Sequence, residues 1–152
     1  ARLFEAGSQI AAVLCGQSDT VEASMLDYGR HLGTAFQLVD DALDFDASAE
    51  ELGKNIGDDL AEGKATLPLI YAMQNCSEED GKIIRDAILE GGLDQLDRIT
   101  AIIESTGARA ELEATIERLT DQALTAAQSA VFTEDGNAML VELANIATKR
   151  SS

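Results

Sequence analysis

From Asp19 to Phe45 the chain keeps a helical pattern with no proline to break it, enough for a helix of about 40 Å at about 1.5 Å per residue. A rod of that length leaves little room for anything but helices packed around it. Asp19 or Thr20 is expected to cap its start. On a 3.6-residue period, Gly33, Gln37, Asp40, Asp41 and Asp44 share about a third of the circumference. Leu32, Phe36, Val39, Ala42 and Leu43 cover the other side. A helix apolar over most of its surface with one polar stripe is expected at the centre of a fold, facing a lined cavity. A surface helix would show the reverse proportions.

The flanking sequence agrees with an all-α class. Ala1 to Cys15 reads as a helix stopped by Gly16. Asp46 to Ala65 carries Gly53, Gly57 and Gly63 and reads as a loop with one short turn. Leu67 to Asn75 resumes a helix, with Pro68 tolerated in the first turn. Ser77 opens another helix to Glu90, ended by Gly91-Gly92, and Leu93 to Ser105 follows, with Gly107 at its end. Arg109 to Val131 and Glu134 to Arg150, the latter capped by Thr133, complete the chain. Leu112, Ile116, Leu119, Ala123 and Ala127 lie at helical spacing, and core plus solvated faces suffices to explain this tail. The whole, residues 1–152, is expected to form one domain: the long helix 19–45, a loop 46–66 and a helical tail 67–150.

Composition excludes several classes. A formal net charge of −17 repels nucleic acid. No apolar run approaches the about 18 residues of a membrane span, so no transmembrane segment is expected. Cys15 and Cys76 are isolated from each other and from the single histidine, which fits a reduced, cytoplasmic protein better than a disulfide framework or a zinc site. His31, four residues after Asp27, is expected on a helix surface beside that carboxylate.

The chemistry concentrates between Gln37 and Pro68. Asp40 and Asp44, four residues apart, project from one helical face with Asp41 beside them. Magnesium takes oxygen ligands and is commonly held by one or two carboxylates completed by substrate phosphates. A solvated acidic patch is the plainer alternative, but three aspartates at a helix C-terminus oppose the helix dipole, and a bound cation would offset that. Downstream, glycines let the backbone approach a ligand, and Lys54 and Lys64 can meet phosphate oxygens. An EF-hand beginning at Asp44 fails, since Ala49 stands where glycine is needed and Asn55 where glutamate is needed. The P-loop glycine spacing is absent as well.

The stretch YGRHLGTAFQLVDDALDFDASAEELGKNIGDDLAEGKATLPLIYAM resembles the second aspartate-rich region of trans-prenyl diphosphate synthases. It most resembles the bacterial long-chain type, the octaprenyl diphosphate synthases, and the ARLFEA opening and the helical tail extend the likeness over the whole chain. The resemblance implies an isoprenoid synthase-type helical bundle, usually homodimeric, around a deep cavity. It implies elongation of an allylic diphosphate by isopentenyl diphosphate, with magnesium shared between two aspartate-rich motifs. Asp40, Asp41 and Asp44 match the metal-binding motif, with Asp40 the expected direct ligand. Gln37 matches the glutamine that hydrogen-bonds near the allylic diphosphate or cation, and Lys54 and Lys64 match the lysines on that diphosphate. Asp58 and Asp59 match outer positions of the substrate site, and Phe36 the aromatic before the glutamine, where core packing explains it as well.

The family's first aspartate-rich motif, its arginine pair and its isopentenyl diphosphate residues have no counterpart here. The chain is therefore read as the C-terminal half of a synthase, expected to be inactive alone and to self-associate through the apolar wall it exposes. A non-catalytic helical subunit complementing a partner synthase is the alternative; retention of Gln37, the aspartates and both lysines disfavours it. A cyclase or head-to-head synthase is disfavoured by the GKNIGDDLAEGKATLP stretch.

Overall fold

The computed structural model describes residues 1–46, 56–130 and 133–149. Among them there are eight α-helices and no strand, as the all-α expectation requires. They are α1 (Arg2–Leu14), α2 (Asp19–Leu43), α3 (Asp58–Ala61), α4 (Leu67–Asn75), α5 (Glu78–Glu90), α6 (Leu96–Ser105), α7 (Ala108–Ser129) and α8 (Glu134–Thr148), with a 3₁₀ turn, Leu93–Gln95, leading into α6.

The boundaries follow local chemistry. Ser77 and Thr133 accept hydrogen bonds from the main-chain N–H of Asp80 and Gly136, capping α5 and α8 as their positions suggest. The start of α2 differs from expectation: the Ser18 hydroxyl, not Asp19 or Thr20, accepts from Val21 N–H at 3.4 Å. The far end differs too, because α2 stops at Leu43 and leaves Asp44 and Phe45 beyond its last turn.

The chain divides into two compact units, Ala1–Val39 with Thr115–Ser152, and Asp40–Ala114. The core of the first is built on Tyr28 and Leu32 from α2, with Ala12, Met25, Ala123, Ala127, Ala130, Ala144 and Ala147. So many alanines let helix backbones come close. Gly29 and Gly33 press the same point: a Cβ on Gly29 would lie 2.5 Å from the Phe4 carbonyl oxygen, and one on Gly33 2.8 Å from the Phe4 Cβ. Gly33 is buried under α1, so it does not belong to a cavity-facing polar stripe as its angle on the helical wheel suggested.

The second unit has a larger-residue core of Phe45, Leu60, Leu69, Ile84, Ile99, Ile102 and Ile103. Leu60, from the one-turn helix α3, is completely buried in it. A single helical turn has no stability of its own, so α3 depends on that anchor and on what holds its ends.

Candidate functional site

The second unit carries the aspartates and the glycine-rich segment. Asp40 and Asp41 lie on the last turn of α2, both half-buried. Asp44 stands past the helix and turns to α3. Its main-chain carbonyl accepts from Gly57 N–H at 2.9 Å, and its carboxylate oxygens accept from Asp59 N–H at 3.3 and 3.2 Å. Burial pushes the Asp44 carboxyl above the ordinary carboxylate range; the Asp59 and Leu60 amides pull it down, while the charges of Asp59 and Asp58 push it up again. Gly57 takes a left-handed φ of 82°, and a Cβ there would meet Leu93 Cδ2 at 2.8 Å. Only glycine suits that corner.

At the other end of α3, Gly63, with φ of 73°, donates to the Leu60 carbonyl at 3.0 Å, and Lys64 N–H donates to the Asp59 carbonyl at 2.9 Å. This paired closure is a Schellman motif, and it fixes where the Lys64 side chain leaves the backbone. The ammonium lies 2.7 Å from Asp59 Oδ1 and 2.6 Å from Glu62 Oε2. Those two hydrogen bonds raise the lysine pKa well above its ordinary value, so Lys64 stays protonated throughout the neutral range. Asp58 is exposed in the first turn of α3.

The other expected site residues stand as follows. Lys54 lies outside the described residues. Gln37 is exposed on α2 in the first unit. Phe36 is half-buried, its ring centroid 5.2 Å from that of Phe4, so it packs between helices. Asp27 is engaged by Arg30 rather than by His31. The His31 pKa is lowered first by burial and then by the charges of Arg30 and Arg118, which outweigh Asp27. Among the described residues no group of three His, Cys, Asp or Glu side chains gathers around a point that could hold a metal ion.

Two features escaped sequence reasoning. Arg109, at the start of α7, bridges Glu104 and Asp46, reaching Asp46 Oδ2 at 3.3 Å; the partners are 63 residues apart and no local pattern announces them. Thr66 is buried, and its hydroxyl makes no hydrogen bond with the described residues.

A family model described as Polyprenyl synthetase matches residues 1–106. Octaprenyl diphosphate synthase of Escherichia coli (strain K12) is 45% identical over 153 residues, covering 99% of this chain and 46% of that protein. The Haemophilus influenzae octaprenyl diphosphate synthase is 52% identical over 104 residues, 68% of this chain and 32% of the other. Among solved structures, a polyprenyl synthase from Caulobacter crescentus CB15, complexed with calcium and isoprenyl diphosphate, superposes with a TM-score of 0.89 at 36% identity, over 100% of this chain and 47% of that one. A decaprenyl diphosphate synthase from Rhodobacter capsulatus gives 0.87 at 30% identity, over 99% and 46%. The chain thus spans about half the length of the relative it matches end to end, at 46%. With the aspartates at the end of α2, Lys64 fixed behind α3 and an isoprenoid synthase-type helical fold around them, the chain belongs to the polyprenyl synthetase family.

Proposed function

We propose that this chain carries the second aspartate-rich half-site of a trans-prenyltransferase, one that elongates an allylic diphosphate with isopentenyl diphosphate toward a long-chain polyprenyl diphosphate. The observation that carries the reading is the fastening of α3 to the aspartate motif, which keeps the Lys64 ammonium and the carboxylates of Asp40, Asp41 and Asp44 within one compact unit. A lysine ammonium and oxygen donors carried on one compact unit suit a diphosphate bridged by a divalent metal.

The donor set fits magnesium. Every candidate ligand is a hard oxygen, the donor type of an ion that takes one or two carboxylates and completes its shell from phosphate and water. Asp40, with Asp41 beside it and Asp44 completing the motif, is the proposed ligand. Magnesium, when bound, supplies Lewis-acid stabilisation of the departing diphosphate.

Lys64 and Lys54 then balance charge on that diphosphate as its bond to the allylic carbon breaks, and Gln37 hydrogen-bonds nearby. Phe36 packs against Phe4, Asp59 holds the Lys64 ammonium, and Asp58 is proposed as an outer residue of the substrate site. The carbocation left behind accepts the double bond of isopentenyl diphosphate, and loss of a proton restores an alkene one isoprene unit longer.

Self-association, with a homodimer the proposed form, draws support from the first unit. There α1 exposes Leu3, Ile10, Val13 and Leu14, and α8 exposes Met139, Leu143 and Ile146. No described helix is long and apolar enough to cross a membrane. Cys15 and Cys76 are free thiols, which suits the reducing cytoplasm proposed as the site of action.

The test is calorimetric titration of the chain with inorganic diphosphate, with and without magnesium. Binding is expected only with the metal and should be lost in Asp40→Ala; equal binding by that variant would sink the reading. Radiolabelled isopentenyl transfer by this chain alone would show that half the family's length suffices for turnover.

A further inference from the structure

The exit of α3 is held by the far end of α5. Gly91 closes α5 with a left-handed φ of 68°. A Cβ on Gly91 would lie 2.8 Å from the main-chain carbonyl oxygen of Ala61, the last residue of α3. A Cβ on Gly63, just past α3, would lie 3.0 Å from the carbonyl oxygen of Ile88, in the last turn of α5. The two segments thus meet backbone to backbone at two points, each through a glycine.

We propose that Gly91 is a positioning residue for the diphosphate site: by letting the end of α5 close on Ala61, it sets where α3 presents the Lys64 ammonium. The proposal rests on the diphosphate reading above. It adds a residue that lies outside the aspartate motif and outside the segment carrying the lysine.

The physical case is that α3 is only four residues long. A helix of one turn is held by its surroundings, not by its own hydrogen bonds. Beyond the Leu60 anchor the chain has little freedom to absorb a shift: Gly63 N–H donates to the Leu60 carbonyl at 3.0 Å and Lys64 N–H to the Asp59 carbonyl at 2.9 Å. A displacement of Ala61 therefore reaches Lys64. A main-chain carbonyl cannot rotate away from a new side chain at position 91, so one backbone or the other must move. The helix α5 has 13 residues and buries Gly81, Ile84 and Ala87, so the single turn of α3 is the one that yields. Gly107 supplies the comparison. It lies in the same compact unit with a left-handed φ of 73°, but nothing stands within 4 Å of its would-be Cβ. A side chain there meets the backbone strain alone.

The experiment uses this 152-residue chain and two probes, amide hydrogen exchange without ligand and calorimetric titration of inorganic diphosphate with magnesium. Gly91→Ala should lose about tenfold in diphosphate affinity, the scale of one lost hydrogen bond to a charged group, together with protection at the Lys64 amide. Gly107→Ala should lose stability, yet keep Lys64 protected and hold affinity within about twofold of the parent, as a separate site does. In a Lys64→Ala background, Gly91→Ala should cost little further affinity. The proposal is overturned if Gly107→Ala weakens binding as much as Gly91→Ala, if Gly91→Ala keeps the parent's affinity, or if its loss is undiminished without Lys64. Where Gly91→Ala fails to fold, Gly63→Ala presses the same junction less hard, at 3.0 Å. That variant should also bind more weakly than the parent, and parental affinity in it overturns the proposal. A parent chain that binds no magnesium diphosphate overturns the functional reading instead; the hold of Gly91 on Lys64 is then decided by amide exchange, where unchanged protection in Gly91→Ala overturns it.

Discussion

The Tyr28 hydroxyl donates to the main-chain carbonyl of Leu140 at 2.8 Å, tying α2 to α8 across 112 residues of sequence. Tyr28 is 1% exposed, and the bond it makes is partly buried. Tyr28→Phe keeps the ring and removes the bond, while the Leu140 carbonyl keeps its place in the helix ladder, and should destabilise the chain by about 0.5–1.5 kcal/mol in urea unfolding.

The same tyrosine makes stability fall in alkali. Burial raises its pKa from 10.0 to about 12. Between those values the unfolded chain has released the phenolic proton and the folded chain still holds it, so folding stability drops as pH rises. Below pH 10.0 that contribution is fully present. Subtracting the Tyr28→Phe profile from that of the parent isolates it, and two parallel profiles from pH 9 upward would contradict the assignment.

Glycines at two positions should respond with opposite signs to the same substitution. A Cβ on Gly29 would lie 2.5 Å from the Phe4 carbonyl oxygen, a main-chain atom that no rotamer change can move. Gly29→Ala should therefore destabilise by about 1–3 kcal/mol despite the better helix propensity of alanine. Gly7, inside α1, has nothing within 4 Å of its would-be Cβ. Gly7→Ala should stabilise by up to about 1 kcal/mol. Thermal unfolding followed by circular dichroism reads both.

These glycines also mark where the sequence was legible and where it was not. Helix spans came from periodicity and capping, which are local, and Leu67–Asn75 and Glu78–Glu90 fall at the residues expected. Burial of Gly33 was hidden because it depends on α1 folding back over α2. Phe36 kept both readings open in the sequence, and the ring contact with Phe4 supplies its packing role. The acidic motif was visible as a cluster, yet its third member needed an amide fifteen residues away to reveal what it does. The sequence puts Asp44 at the negative end of a helix; it stands instead beyond that end, where its carboxylate accepts the Asp59 amide. Arg30 took the carboxylate of Asp27 because a neighbour three residues along the helix reaches it as well as one four along.

Thr66 offers a test of an unsatisfied group. It lies in the turn before α4, buried, with a hydroxyl that makes no hydrogen bond among the described residues. A buried polar atom without a partner costs free energy that a methyl group of the same shape does not. Thr66→Val should leave stability unchanged or raise it by up to about 1 kcal/mol in urea unfolding. A loss of 2 kcal/mol or more, on the scale of a lost buried hydrogen bond, would show that the hydroxyl has a partner.

Arg109 lies three residues beyond the family-model match, which ends at residue 106, yet it holds Asp46, two residues after the aspartate motif. Its side chain is 31% exposed and also engages Glu104, whose side chain is 52% exposed. Partial exposure keeps such a bridge modest, and Arg109→Gln should cost about 1 kcal/mol or less. Because the attraction is screened by salt, the difference between parent and variant should shrink as sodium chloride rises from low concentration towards 1 M. A difference independent of salt would assign Arg109 to packing of its aliphatic stem. Asp46→Asn should reproduce only part of the effect, since Glu104 remains as a partner, and the double variant should fall short of the sum of the two single losses.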